Sequence, residues 1–403
     1  MIKNYFCFRM NFFPGGIRIK PNKQMFAYQN DGRFFAQAGR GLEELAAAEL
    51  AELGALDVEL SGGGLHFRCD AAGLYRINYC SRLVSRVLAP LAVFPCLSDQ
   101  ALYEAARGIE WGVLLAAEKT FAVFANVRES RINHAHFAAL RLKDAIADHF
   151  RERIGRRPDV DTEHPDVWIN LVILQDQAVI SLDTAGGSLH RRGYRMQSVP
   201  APLQETLAAA TVRLSGWQGE RPLVDPMCGS GTILAEAFMQ YCRIPAAFKK
   251  EKFGFESMPD FDPLVWEEVR RESDASRREM PESLISGSDS DRQAIDAARR
   301  NLREIPGSRG VPLERKDFRD LPGITGATII CNPPYGIRVG ELEETRFLYK
   351  EFGDFLKQRC QGSTAYILCG NLDLIGAIGL KPSRRFVLFN GPIECRLLKI
   401  EIY

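Results

Sequence analysis

Two stretches of the chain combine residue types at spacings that can do chemistry. The first is Cys331-Asn332-Pro333-Pro334-Tyr335-Gly336, which follows Ala327-Thr328-Ile329-Ile330, an apolar run of buried-strand type. Pro333 and Pro334 donate no N–H and hold Asn332 extended, so its side-chain oxygen stays available. Asn332 and the Pro333 carbonyl then form a pair of acceptors at the end of a strand, with the Tyr335 ring beside them. A planar substrate with an exocyclic NH2 group suits that arrangement. Taken alone, the stretch reads equally well as a turn that ends a strand.

The second stretch is Asp225-Pro226-Met227-Cys228-Gly229-Ser230-Gly231-Thr232, which follows the short strand pattern Leu223-Val224. An acidic residue is followed by two glycines that let backbone approach a ligand at a helix N-terminus. The third glycine of a dinucleotide fingerprint is missing, since Leu234 stands there, and so is the Gly-Lys-Ser/Thr of a phosphate loop. Asp289 and Asp317-Phe318 fall near the ends of two further strands. Asp225 can face an ammonium, Asp289 the hydroxyls of a ribose and Asp317 the amino group of an adenine. Together they describe S-adenosylmethionine, with Cys228, Gly229, Gly231, Thr232 and Phe318 completing the expected binding wall. Each aspartate singly is equally a helix cap.

These residues need a scaffold, and the composition sets its limits. A chain of 403 residues is long enough for two or three compact units. Its hydrophobic share of 46% and charged share of 26% are those of a globular protein, and no apolar run reaches the length of a membrane span. Ten scattered cysteines show no CxxC pair or Cys/His cluster, which argues against a metal site and a disulfide framework and points to a reducing, cytoplasmic setting. A net charge of +1 excludes a globally basic nucleic-acid binder, so any such role rests on local patches.

Residues 1–33 lack periodicity and read as a disordered leader, with Met25 as an alternative start. Residues 34–97 form a small α+β unit: a helix over 41–53, strands at 58–60 and 65–67 around a glycine turn, and a helix over 70–91. Residues 98–185 form a second unit with a strand at 120–125, a helix over 136–154 and a hairpin of strands at 167–173 and 178–182. The long helix carries Arg141 and Lys143, which could line a phosphate-binding face, although acidic neighbours partly cancel them. A Gly- and Arg-rich connector, 186–200, contains Arg191 and Arg192. From 201 to 403 strands and helices alternate, ending in a hairpin around Asn390-Gly391. The expected fold class is α/β, a doubly wound, mostly parallel Rossmann-like sheet closed by an antiparallel hairpin and preceded by α+β units.

The motif pair Asp-Pro-Met-Cys-Gly-Ser-Gly-Thr and Asn-Pro-Pro-Tyr-Gly resembles the class I S-adenosylmethionine-dependent amino-methyltransferases. The wider chain is similar to the THUMP-domain guanine-N2 RNA methyltransferases, in particular those of bacterial 23S ribosomal RNA. Its marks are Gly39-Arg40-Gly41-Leu42-Glu43-Glu44-Leu45, Gly63-Gly64-Leu65-His66-Phe67, Lys143-Asp144-Ala145-Ile146, Leu189-His190-Arg191-Arg192-Gly193-Tyr194-Arg195, Glu205-Thr206-Leu207-Ala208-Ala209-Ala210 and Asn390-Gly391-Pro392. The resemblance implies a ferredoxin-like unit, a THUMP RNA-binding unit and a methyltransferase. It also implies a cofactor role for Glu205 and Thr206. RNA contacts fall to Arg141, Lys143, Arg191 and Arg192, and Asn332, Pro333, Pro334 and Tyr335 become the catalytic group. Some relatives fuse a second methyltransferase where this chain ends, so one activity is expected here. The substrate implied is large-subunit ribosomal RNA, with transfer RNA as the alternative within the class. A non-catalytic RNA-binding protein and a nicotinamide oxidoreductase are the rivals from other classes, and the glycine spacing disfavours the latter.

Overall fold

The computed structural model describes residues 26–197, 202–336 and 342–403. They fall into two compact units, the first built from residues up to Ala38, Ala46–Leu189 and Lys250–Arg270, the second from Gly39–Leu45, His190–Lys249 and Arg271–Tyr403.

In the first unit α1 (Ala27–Asp31), β1 (Arg33–Ala38), α2 (Glu43–Glu52), β2 (Leu56–Ser61), β3 (Gly64–Arg68), α3 (Ala71–Cys80) and β4 (Val84–Pro95) come first. Then follow α4 (Asp99–Arg107), β5 (Thr120–Arg128), α5 (Ala135–Ile154), β6 (Asp159–Val160), β7 (Val167–Leu174) and β8 (Gln177–Asp183). Of the expected leader, residues 1–25 lie outside the described residues. Order begins before residue 34, because Phe26 and Tyr28 are buried and Gly32 closes α1 in the left-handed conformation.

A single helix over 70–91 does not form. Asp70 caps α3 by accepting the Gly73 N–H at 2.7 Å, but the helix stops at Cys80. There the buried Glu49 carboxylate accepts the Ser81 hydroxyl at 2.6 Å and the Arg82 and Leu83 amides at 3.0 and 3.1 Å. Those N–H groups are thereby withdrawn from helical bonding. The valines beyond continue as β4, and Pro90 is tolerated because the β4 register shifts between Pro90 and Ala92.

β4 matters for the division expected at residues 97–98. The strand order is β2-β3-β1-β4-β8-β7-β5-β6, so one eight-stranded sheet runs through both expected N-terminal units, joined where β4 pairs antiparallel with β8. Residues 250–270 also belong to this unit rather than to the C-terminal one, with the Tyr75 ring tilted against Phe255 at a centroid distance of 4.5 Å and the Tyr28 hydroxyl donating to Asp260 at 2.6 Å.

The second unit contains α6 (Glu205–Ser215), β9 (Leu223–Asp225), α7 (Thr232–Tyr241), β10 (Ile285–Asp289), α9 (Arg292–Arg303), β11 (Leu313–Arg315) and β12 (Thr328–Cys331). The charged helix α8 (Pro263–Ala275) precedes β10, and α10 (Leu342–Arg359), β13 (Thr364–Cys369), β14 (Arg384–Asn390) and β15 (Ile393–Glu401) complete the chain. The order β11-β10-β9-β12-β13-β15-β14 has its first five strands parallel and the final hairpin antiparallel, as the sequence pattern predicts. Ile329 and Cys331 of β12 pack with Tyr349, Phe352 and Leu356 of α10 in one core cluster. Burial on both faces makes β12 and β13 continuous apolar runs rather than alternating ones. Among the described residues no helix is long and apolar enough to cross a membrane, and no cluster of His, Cys, Asp and Glu is placed to hold a metal.

Candidate active site

β9 has β10 on one side and β12 on the other, so the order of connection reverses beside it. At such a switch point the loops leaving the carboxyl ends of neighbouring strands diverge and leave a crevice. A cleft of about 490 Å³ lies there. Of the residues expected from sequence, Asp225, Cys228, Gly229, Thr232, Asp289, Asp317, Phe318, Asn332, Pro333, Pro334 and Tyr335 all line it. Four loops, those after β9, β10, β11 and β12, thus converge because four parallel strands end together.

The loop after β9 is fixed by its backbone. Gly229 and Gly231 have φ of +53° and +77°, values that favour glycine, and a Cβ on Gly231 would stand 3.0 Å from Ala298 Cβ of α9. The Cys228 N–H donates to the Ser288 carbonyl at 3.0 Å, and the Gly229 N–H donates to the Asp289 carboxylate at 2.9 Å. Asp289 also accepts the Asp291 N–H at 2.9 Å. Asp317 accepts the Arg319 N–H at 3.0 Å, so its capping role and its place in the cleft coexist.

Glu205 does not line the cleft. It lies 3.2 Å from the Arg195 guanidinium, which donates to the Leu203 carbonyl at 2.6 Å and to the Thr232 hydroxyl at 3.2 Å. Leu203 and Thr232 are cleft residues, so Glu205 acts on the wall through Arg195. Thr206, also outside the lining, is buried on α6 beside it.

Asp225 is 1% exposed, its carboxylate accepts the Met227 N–H at 3.2 Å, and it has no ion-pair partner among the described residues. Burial, with the Asp289 charge adding, pushes its carboxyl well above the usual range, and burial also raises Asp289. Two poorly compensated carboxylates in one cleft call for a ligand with a cation and hydroxyl donors. The ammonium and ribose of S-adenosylmethionine are such groups, and the residues present therefore fit it. The sign of the linkage gives a test. A carboxyl whose folded pKa is raised costs nothing below its ordinary value of 3.8 and destabilises the fold as pH climbs through the folded value. Asp225→Asn is therefore expected to melt higher than the parent at neutral pH without ligand, to flatten the decline of melting temperature from pH 4 to 8, and to lose most of the stabilisation given by S-adenosylmethionine. Thermal melts with and without the compound read all three effects; a variant less stable at neutral pH that keeps its ligand shift would contradict the assignment.

Two expectations need correction. Arg192 cannot meet RNA, because it is 3% exposed and its guanidinium lies 3.4 Å from the fully buried Glu236, which also accepts the Tyr194 hydroxyl at 3.1 Å. Its partner is 44 residues away in sequence, so the Arg-rich connector gave no sign of an inward arginine. Arg191 is exposed and Lys143 half-buried, while Arg141 lies 4.2 Å over the Tyr103 ring and bonds Gln100 at 3.1 Å. The second correction concerns Asn332, whose side-chain oxygen already accepts the Tyr335 hydroxyl at 2.7 Å. Sequence reasoning also missed Leu203 and Leu348 in the lining. Leu348 sits on α10 among other apolar residues and carries no local signal.

Residues 192–399 match the family described as RMKL-like, methyltransferase domain, residues 98–183 the THUMP domain and residues 33–88 the RlmL ferredoxin-like domain. The Synechocystis sp. protein slr0064 is 42% identical, over 92% of this chain and 97% of its own. Ribosomal RNA large subunit methyltransferase K/L of Syntrophotalea carbinolica is 42% identical over 92% of this chain and 53% of its own, and that of Methylococcus capsulatus is 40% identical over 92% and 51%. The chain thus spans about half the length of these two relatives. Among solved structures, SMU.472 complexed with SAH superposes with a TM-score of 0.81 at 29% identity, covering 92% of this chain and 98% of that one. A predicted N6-adenine-specific DNA methylase from Listeria monocytogenes superposes with a TM-score of 0.79 at 27% identity, covering 94% and 100%. The acid-lined cleft, the acceptor pair at the end of β12 and these matches agree: the chain belongs to the THUMP-containing, RMKL-like family of S-adenosylmethionine-dependent methyltransferases.

Proposed function

We propose that the protein methylates the exocyclic N2 of a guanine in RNA, with large-subunit ribosomal RNA as the substrate and the cytoplasm as its place of action. The observation that carries this reading is that Asn332 and Pro333, which can offer a pair of acceptors, line the same cleft as Asp225, Asp289 and Asp317. The THUMP match and the names of the K/L relatives support RNA, and ribosomal RNA in particular.

S-adenosylmethionine, when bound, supplies a methyl group on a sulfonium. Asp225 would face its ammonium, the remaining lone pairs of Asp289 its ribose hydroxyls, and Asp317 with Phe318 its adenine. The guanine amine is a poor nucleophile because its lone pair is delocalised into the ring. Asn332 and Pro333 hold its N–H groups and aim that lone pair into the cleft, and positioning of this kind contributes up to about 7–11 kcal/mol where geometry is ideal. As positive charge grows on the amine, the two carbonyl dipoles already point their negative ends at it, so no strong base is needed. The Tyr335 ring stacks on the base, which is worth about 1–3 kcal/mol.

The same acceptor pair could hold an adenine N6, the atom named for the Listeria relative. Parallel incubations of the purified protein with unmodified ribosomal RNA and with unmodified transfer RNA, each with isotopically labelled S-adenosylmethionine and followed by nucleoside mass spectrometry, separate the two. Label in N2-methylguanosine from large-subunit RNA is the expected result. Label in N6-methyladenosine, or only in transfer RNA, would overturn the substrate assignment.

A further inference from the structure

The strand order divides the second unit at β12. The acidic side of the cleft lies over β9, β10 and β11, which leaves the ground across β13, β15 and β14 for whatever brings the target amine to Asn332. The registers fix which residues stand there. Cys331 of β12 pairs with Ile367 of β13, Ile367 with Leu398 of β15, and Leu398 with Arg385 of the edge strand β14. Arg385 is thus level with the residue before Asn332 and three strand spacings from it, about 14 Å. β14 also runs in the same direction as β12, since two antiparallel pairings separate it from β13. Near its far end Leu388 is in register with Cys395 of β15, whose thiol comes within 3.9 Å of the Tyr335 hydroxyl.

This edge strand carries cations that no carboxylate neutralises. The Arg384 guanidinium lies 4.5 Å over the Phe386 ring, and that of Arg40, in the segment Gly39–Leu45 of the same unit, lies 4.1 Å over Phe389. Gly41 brings Arg40 to the strand: its φ is +82°, and a Cβ there would stand 2.7 Å from the Val387 carbonyl oxygen. Arg385 is exposed beside them. Arg40, Arg384 and Arg385 have no carboxylate partner among the described residues, whereas on β15 Arg396 pairs with Glu394 at 2.6 Å and Lys399 with Glu401 at 2.9 Å. Glu43, the acid nearest Arg40 in sequence, accepts the Gly41 N–H at 2.6 Å instead. A guanidinium laid on a ring has its plane fixed while its edge N–H groups stay free for the oxygens of a phosphate. Free cations interleaved with aromatic rings are the parts of a surface that follows a nucleic-acid backbone. We infer that the β14 edge, with Arg40, is the track that holds the phosphates of the RNA strand beside the target nucleotide, on the side of β12 away from the cofactor wall. The inference rests on the reading of the protein as an RNA methyltransferase and adds the path of the substrate to it. It also gives a use to Gly39-Arg40-Gly41, a stretch that has no part in the cleft.

The test is a triple variant of the full chain, Arg40→Gln with Arg384→Gln and Arg385→Gln, titrated with a large-subunit ribosomal RNA transcript at several salt concentrations. It is expected to bind the transcript about ten- to a hundredfold more weakly at low salt, and the plot of log affinity against log salt is expected to lose about 0.7–0.9 of its slope for each arginine. Methyl transfer falls with it through a higher KM for RNA, and the Kd for S-adenosylmethionine measured by calorimetry does not move. Arg277→Gln, which removes a cation paired with Asp274 elsewhere in the unit, is expected to change neither affinity nor slope. Unchanged affinity in the triple variant overturns the track, and so does weaker binding with an unchanged slope, since the arginines would then act through folding rather than on phosphates. Should the triple variant fail to fold, Arg385→Gln alone decides, because that side chain is exposed and its loss is still expected to lower the slope by about 0.7–0.9. The parent protein separates the two levels. No methyl transfer to any RNA overturns the reading of the function, whereas an active parent whose triple variant keeps its affinity and slope removes the track alone.

Discussion

Asn332→Ala is expected to lower methyl transfer by about 10²–10³-fold while leaving the Kd for S-adenosylmethionine within about twofold, the loss being that seen when one preorganised dipole is removed from a reacting centre. The two effects separate because the cleft divides its work. Asp225 and Asp289 sit at the ends of β9 and β10, whereas Asn332 follows β12 on the far side of β9. Removing the carboxamide takes away an acceptor for the target amine but no partner of an ammonium or a ribose. Its loss also removes the acceptor of the Tyr335 hydroxyl. Calorimetry for the cofactor and a tritiated-methyl assay on ribosomal RNA read the two quantities independently. Turnover at the parental rate would remove Asn332 from the chemistry.

Glu236→Ala carries the largest expected effect on stability. Glu236 and Arg192 are both fully buried, and truncating one partner of such a pair leaves the other charge desolvated, at a cost of about 3–5 kcal/mol. The same substitution strips the Tyr194 hydroxyl of its acceptor. Urea denaturation followed by tryptophan fluorescence is expected to show the loss, and Arg191→Ala, one residue from Arg192 but exposed, is expected to shift stability by less than about 0.5 kcal/mol. Equal effects from the two would mean that the buried pair contributes nothing particular. The outcome bears on function, because the segment that carries Arg192 continues through Tyr194 to Arg195, which holds Leu203 and Thr232 in the cleft wall.

What could be read from the sequence was local. The strand ends that carry Asp225, Asp289 and Asn332 were legible because apolar runs bounded by Gly, Pro and Asp are short-range patterns. The helix expected over 70–91 failed for a non-local reason: Glu49, more than thirty positions earlier, takes the amides that would have continued it. Arg192 was misread for the same kind of reason, since nothing near it in sequence announces Glu236. Glu205 entered through a resemblance alone, and its contact with Arg195 explains why spacing could not reveal it: it works one residue back from the wall. The Asn332–Tyr335 hydrogen bond lies within four residues of sequence, yet it depends on Gly370 leaving space for the ring, a fact of packing rather than of pattern.

The junction of β4 with β8 bears on how the chain is made. As synthesis proceeds from the N-terminus, β1 can pair with one edge of β4 as soon as β4 emerges, but the other edge waits for Gln177–Asp183. Until then a long strand rich in valine and leucine offers unpaired amides and carbonyls to anything nearby, which is the usual seed of association between nascent chains. Pro90 and the register shift beside it interrupt that open edge near its middle. The irregularity that lets a proline sit within a central strand therefore also guards β4 while its partner is still to be made.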